Sequence, residues 1–189
     1  YKDSPYWVNS LWSDEYKTLI KSRNPAFEYC EAWYFLAEKK GTVVGRIAAI
    51  IHHNANRDWD VKNMRFGWLD FIDDDEVSSA LLNRVEELAV EKGMTAVNGP
   101  FGFTDMDREG MLTEGFENMG AFTTLYNYSY YPDHLERLGY IKDAEWVQRE
   151  FEVPEDVPDK LKQYSRIIKQ KYKVSVIENR SKKELRVYA

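Results

Sequence analysis

The chain changes its apolar rhythm several times, and each change predicts an element. Trp33 to Glu38 and Thr42 to Ile51 are rich in aromatic and β-branched residues, and Lys39-Lys40-Gly41 between them supplies the glycine of a tight turn, which predicts a β-hairpin. Gly45 in the second arm marks a bulge, and His52-His53-Asn54 ends it in polar residues. Met64 to Ile72 is apolar on both faces and predicts a central strand. The period then lengthens to that of a helix. Val77, Leu81, Val85 and Leu88 recur on one face, Asp73 to Asp75 can cap the start, and Gly93 ends it.

Further along, Met94 to Val97 predicts a short strand, Tyr131 to Leu138 a helix stopped by Gly139, and Glu145 to Val153 an alternating strand before Pro154. Ahead of the hairpin, Leu11, Tyr16, Leu19 and Ile20 allow a short helix between Ser13 and Ser22. Beyond Asp156 to Pro158, Leu161, Tyr164, Ile168 and Tyr172 predict an amphipathic helix, Val174 to Ile177 a strand, and Ser181 onward another helix start. Together these predict an α/β fold of the α+β type: a mixed, mostly antiparallel central sheet flanked by helices. Residues 1–30 form a helical and irregular lead-in, 31–155 the main domain, and 156–189 a linker with the start of a second α/β domain. An opening at Tyr1 without Met, and an end inside a predicted helix, fit a longer protein.

Composition narrows the function classes. With 43% apolar and 15% aromatic residues, 189 residues can bury a substantial core. The longest strictly aliphatic run is Ile47 to Ile51, against the ~20 residues that span a bilayer, so no membrane contact is expected. Cys30 has no second cysteine to pair with, which fits a reducing cytoplasm. His52 and His53, adjacent on a strand, would point to opposite faces and chelate nothing together, so no metal is expected. There is no nucleophile elbow, phosphate-binding P-loop or dinucleotide fingerprint. Residues 159–189 carry ten Lys or Arg against three acids; with a net charge of −6 overall, that leaves thirteen negative charges on residues 1–158. This basic segment is either the solvated face of a helix or a contact for RNA or phosphate.

The chemistry-bearing residues cluster after the fourth strand. Asn98-Gly99-Pro100 opens an irregular stretch to about Gly120 that carries Thr104, Asp105, Asp107, Arg108, Glu109 and Glu114. It begins at the C-terminal end of a strand, where open sheets gather their ligand sites. Its carboxylates are either a solvated loop or the binding groups for an amine, with Glu114 or Asp105 as the base that takes the ammonium proton.

The order of hairpin, central strand, capped helix, short strand, helix and late strand resembles the Gcn5-related N-acyltransferase (GNAT) superfamily over roughly residues 30–153. Lys40-Gly41-Thr42-Val43-Val44-Gly45-Arg46-Ile47 looks like its central hairpin, Ser79-Ala80-Leu81-Leu82 with Gly93 like its main helix, and Leu138-Gly139-Tyr140 like its late Leu-Gly-Phe. Gly45-Arg46-Ile47-Ala48-Ala49, the Asn98-Gly99-Pro100 corner, Gly110-Met111-Leu112 with Gly115-Phe116, and Tyr130-Tyr131 are similar to a bacterial subfamily of acyltransferase-like proteins.

The resemblance implies an acyl-CoA donor whose pantetheine arm lies between the central strand and the next, bonded by strand backbone at Leu69, Phe71 and Ile72. It implies a proton-donating tyrosine, for which Tyr131 is the candidate, since Leu135 stands where the superfamily's tyrosine falls. Tyr130, Asn98, Asn127 and Asp105 are then candidates for substrate contacts, with a small-molecule amine as acceptor. One motif departs from the pattern. Asp73-Asp74-Asp75-Glu76 stands where the superfamily offers glycines to the donor's pyrophosphate, and four acids there repel an anion unless they act only as a helix cap. The alternative function is therefore a catalytically silent domain that binds a small ligand or a partner.

Overall fold

The hairpin forms around its turn glycine: β1 (Cys30–Lys39) and β2 (Thr42–His52) run antiparallel, with a register shift where Ala37 faces Gly45 and Glu38 faces Val43. β3 (Asn63–Phe71) pairs antiparallel with β2, and the short β4 (Ala96–Asn98) pairs parallel with β3, giving the order β1-β2-β3-β4. The chain is thus α+β, with a mixed and mostly antiparallel sheet flanked by helices. The coordinates are a computed structural model that describes residues 1, 3–178 and 181–185. They fall into two units, residues 1–143 and 144–189.

In the first unit α3 (Asp75–Glu91) lies on one face of the sheet and turns Val77, Leu81, Val85 and Leu88 inward, all buried as their spacing predicts. They pack against Ile47, Ala49, Phe66 and Phe71 from the strands and Tyr131 and Leu135 from α4 (Tyr130–Arg137). Gly45 permits this approach: a Cβ there would stand 2.8 Å from Leu81 Cδ1. The opposite face carries a smaller core of Ala26, Cys30, Ala48, Ile50 and Phe103. Ahead of β1 run α1 (Trp12–Leu19) and a 3-10 turn at Pro25–Glu28.

Two expectations need correction. His52 and His53 do not share a strand, because β2 ends at His52 and α2 (His53–Asp58) begins at once. The physical cause is a cap: His52 Nδ1 accepts the Ala55 N–H at 3.0 Å, while His53 Nε2 lies 2.9 Å from Glu31 Oε1. Likewise 145–153 and 174–177 hold no strand among the described residues. Their alternation is real, yet a strand needs a neighbouring edge for its N–H and C=O groups, and Trp146, Phe151 and Val176 stand exposed. In the second unit α5 (Asp159–Tyr172) forms as the spacing predicts, with the short α6 (Lys182–Leu185) after it. No described helix is long and apolar enough to cross a membrane.

β3 is bulged. Ala48 faces Gly67 and Arg46 faces Asp70, so one extra residue sits on β3, and Trp68 takes φ 47° in the left-handed region. That conformation costs a non-glycine residue about 1–3 kcal/mol and persists only where neighbours hold it. Here Trp68 Nε1 donates to Glu15 at 2.9 Å, and its ring packs against Phe103.

Candidate functional site

β3 outruns its neighbour. β4 pairs only with Asn63 to Arg65, after which Phe101 N–H donates to Phe66 C=O at 2.7 Å and the chain turns away through Gly102. Gly67 allows the Phe101 carbonyl to press against the strand, where any Cβ would collide with it. Beyond this point the outer edge of β3 has no strand beside it. Ile72 N–H donates to Val44 C=O on β2, so the alternate residue, Phe71, turns its N–H and C=O outward.

Tyrosines meet those two groups. Tyr131 Oη accepts the Phe71 N–H at 3.1 Å, and Tyr130 Oη donates to the Phe71 carbonyl at 2.6 Å. Helix α4 brings the pair there because its other contacts fix it. Tyr131 is buried and stacks on the Phe71 ring at 4.2 Å, and Leu135 enters the core one turn later. Tyr1 and Tyr131 share a hydroxyl contact, and both hydroxyls reach Asp70, Tyr1 at 2.9 Å and Tyr131 at 3.5 Å. Arg46 closes the group with a 2.6 Å ion pair to Asp70. Burial first, and the Asp70 carboxylate second, push the Tyr131 hydroxyl well above an ordinary phenol. Burial, followed by Asp73, pushes Tyr130 up to about 12. Both remain protonated donors at neutral pH.

A cavity of about 350 Å³ opens beside this cluster. Its polar floor is Arg46, Asp70, Tyr130 and Tyr131; Leu36, Val43 and Ile72 form an apolar rim. A larger one, about 470 Å³, lies at the other end of the sheet beside His53, Arg57, Asp60, Lys62 and Lys92. There Arg57 pairs with Asp58, and His53 and Lys92 pair with Glu31, so most of its cationic groups are already engaged. The smaller cavity holds the better chemistry.

The acid run is fully engaged. Asp74 caps α3 by accepting the Glu76 N–H at 3.0 Å, and Lys39 bridges Asp74 at 2.7 Å and Glu76 at 3.1 Å. Arg137 binds Asp75 at 2.8 Å. His134 stands between Asp73, 2.9 Å from Nε2, and Ser78 Oγ, 2.8 Å from Nδ1, with Asp75 Oδ1 at 3.2 Å from the same nitrogen. A Ser–His–Asp row invites comparison with hydrolases, but Ser78 and His134 are 1% and 2% exposed. No substrate carbonyl reaches that hydroxyl. The row ties α4 to the start of α3 and so fixes where Tyr130 and Tyr131 stand.

The other candidates are spread. Leu69 and Phe71 lie at the end of β3 with Ile72 just beyond it, and Phe71 and Ile72, but not Leu69, line the cavity with Tyr130 and Tyr131. Asn98 ends β4, and its Oδ1 is buried without a hydrogen-bond partner. Asn127 is buried and staples the irregular segment, accepting from Leu112 N–H at 2.7 Å and donating to Leu112 C=O at 3.1 Å. Glu114 and Asp105 are exposed. Among the loop carboxyls Glu109 is held above the usual range, by burial first and by Asp105 second. Burial pushes the Cys30 thiol up to about 11, which leaves it a thiol rather than a nucleophile at neutral pH.

The sequence pattern did not single out Asp70, Arg46, Tyr1 or His134 for this site. Asp70 sits in an apolar strand run, and its partners lie 24 and 69 positions away. A lone acid inside such a run was the one available signal, since a buried-strand charge requires a partner.

No family model matches the chain, and no solved structure matches it. It is 31% identical over 155 residues to Protein YghO of Escherichia coli (strain K12), covering 79% of the chain and 39% of that protein. It is 26% identical over 156 residues to the bacterial ceramide synthase of Caulobacter vibrioides (strain NA1000 / CB15N), covering 82% of the chain and 41% of that protein. The chain thus spans about two-fifths of the length of the curated relatives it matches.

Proposed function

We propose that this chain is the donor-binding part of an N-acyltransferase that moves an acyl group from a coenzyme A thioester to an amine. The observation that carries it is the edge of β3 left without a strand partner, where Phe71 turns an N–H and a C=O, met only by tyrosine hydroxyls, toward a cavity floored by Asp70 and Tyr131. An extended arm with amide groups binds such an edge as an added strand would. A ceramide is an amide of a long-chain amino alcohol, so the name of the Caulobacter relative supports amide formation as the reaction.

In this scheme the amine nitrogen attacks the thioester carbonyl, the C–N bond forms, and the C–S bond breaks with the electron pair leaving on sulfur. The ammonium form first releases one proton to solvent, and the neutral amine that attacks sheds a second, which balances the one the departing thiolate takes up. Asp70, half-exposed at the cavity, is the carboxylate that holds an ammonium group before attack. Tyr131, kept protonated by burial, serves as a hydrogen-bond donor to developing negative charge rather than as a group that gives its proton away. The apolar rim of Leu36, Val43 and Ile72 suits an aliphatic chain on the donor or the acceptor. The acid run does not suit a pyrophosphate, because its carboxylates hold the α3 N-terminus themselves.

The test is direct. The protein is incubated with acyl-coenzyme A of short and long chain and with a panel of amines, and amide products and free thiol are measured. Amide formation that falls at least tenfold in Asp70→Asn is the expected result. Tight binding of an acylated thioester with no amide from any amine would instead support the silent ligand-binding domain, whose specific support is that Phe71 already has hydroxyl partners.

A further inference from the structure

The two hydroxyls on Phe71 are unequal. Tyr131 is 3% exposed, its ring stacks on Phe71, and its hydroxyl touches the Phe71 N–H, Tyr1 and Asp70. Removing it from the edge would disrupt the core and the polar group together. Tyr130 is only half-buried and lines the cavity wall. Its hydroxyl donates to the Phe71 carbonyl, and its ring stacks on the exposed Tyr128 at 5.7 Å while also meeting Phe71 at 5.6 Å, Tyr131 at 5.0 Å and His134 at 5.6 Å. Standing at the first residue of α4 on the cavity wall, this side chain can swing toward the cavity at the cost of that bond and of part of its ring packing.

Resting on the donor-edge reading above, we propose that Tyr130 is a latch that sets the affinity of this edge for its ligand. In the closed state its O–H occupies the Phe71 carbonyl; in the open state an amide N–H of the bound arm replaces it. Tyr131 stays in place through both states and continues to cap the Phe71 N–H, so the ligand meets a half-open edge with one acceptor on offer. That arrangement selects ligands that present an N–H at this point, because a group without a donor leaves the carbonyl bare once Tyr130 has moved. The latch competes with the ligand and therefore lowers affinity by the fraction of molecules in which it is open.

The test uses pantetheine, which carries the amides without the pyrophosphate and so avoids the acid run. Pantetheine is titrated into the wild-type chain and into Tyr130→Phe, which keeps the ring and removes the hydroxyl. Thermal melting of both proteins checks that the variant is folded. An ordinary hydrogen bond predicts binding about three- to tenfold tighter in Tyr130→Phe. Equal binding by the two proteins would overturn the latch and leave the donor edge intact. Weaker binding in the variant would make the hydroxyl a ligand contact and also overturn it. If neither protein binds pantetheine, the edge is no donor site, and the latch falls with that reading. Tyr131→Phe supplies the contrast: it leaves Tyr130 on the Phe71 carbonyl, so it should not tighten binding of the arm's N–H.

Discussion

Along β3 the first half satisfies its outer edge with backbone and the second half with side chains. From Asn63 to Arg65 the partner is β4, and at Phe66 it is the Phe101 amide. At Phe71 the partners are two tyrosine hydroxyls carried by a helix sixty residues downstream. A backbone ladder is cooperative, and no single residue can leave it. A hydroxyl on a rotatable ring can be exchanged for a ligand one bond at a time. The first half is therefore scaffold, and the second is the part of the strand that chemistry can use.

Removing a buried ring from the scaffold half has the largest expected effect. Phe66→Ala should cost about 3–5 kcal/mol in chemical denaturation, because Phe66 is fully buried between the sheet and α3. A cost near zero would mean that this half is no more fixed than the other. Tyr131→Phe comes next, at about 1–3 kcal/mol, since it leaves the Phe71 N–H without its acceptor and removes a group from Asp70. If stability is unchanged, the second half does not depend on its tyrosine for order.

The acid run offers a sharper comparison between the edge and the helix end beside it. Replacing Asp74 by Gly and Asp75 by Arg should raise the affinity for coenzyme A by about tenfold, by removing two anions from the positive end of α3 and adding a cation. Pantetheine affinity should stay as it was. Calorimetry on both ligands checks this, and a parallel rise for pantetheine would show that the substitutions opened the edge rather than the pyrophosphate position.

The smallest effect concerns pH. Hydrogen bonding from Lys39, opposed by desolvation and aided by the α3 amides, holds Asp74 below the usual carboxylate value of 3.8. A depressed carboxylate stabilises the fold above its unfolded value, and this contribution is lost as the pH falls through the lower folded value. Acid unfolding of Lys39→Met should therefore begin at slightly higher pH than wild type, with the difference fading in high salt because the pair is exposed.

What was legible in the sequence follows from the range of each interaction. Val77, Leu81, Val85 and Leu88 specify α3 because a helix closes its own hydrogen bonds, and the hairpin follows from one glycine between two β-rich arms. Residues 145–153 carry an equally clear alternation, but a strand is completed only by another strand. The six-residue α2 escaped because its cap is a histidine side chain rather than a common capping residue. Tyr130 and Tyr131 stood out as a pair, while their bond partner on Phe71 depends on where β4 ends. Arg46 and Asp70 meet only after the bulge has shifted the register between β2 and β3.

That one extra residue at Trp68 works like a frameshift in the strand. Before it, Met64 and Phe66 enter the α3 core at even positions; after it, Leu69 and Phe71 enter at odd ones. Deleting Trp68 would restore strict alternation with every downstream face kept, whereas drawing Trp68 into the ladder as an ordinary strand residue would exchange them all. In that second case Asp70 would be driven beneath α3 and the Phe71 ring out of the core, so the site depends on Trp68 staying looped out of the ladder. Homologous chains that keep the chemistry should carry at this point either a looped-out residue or one residue fewer.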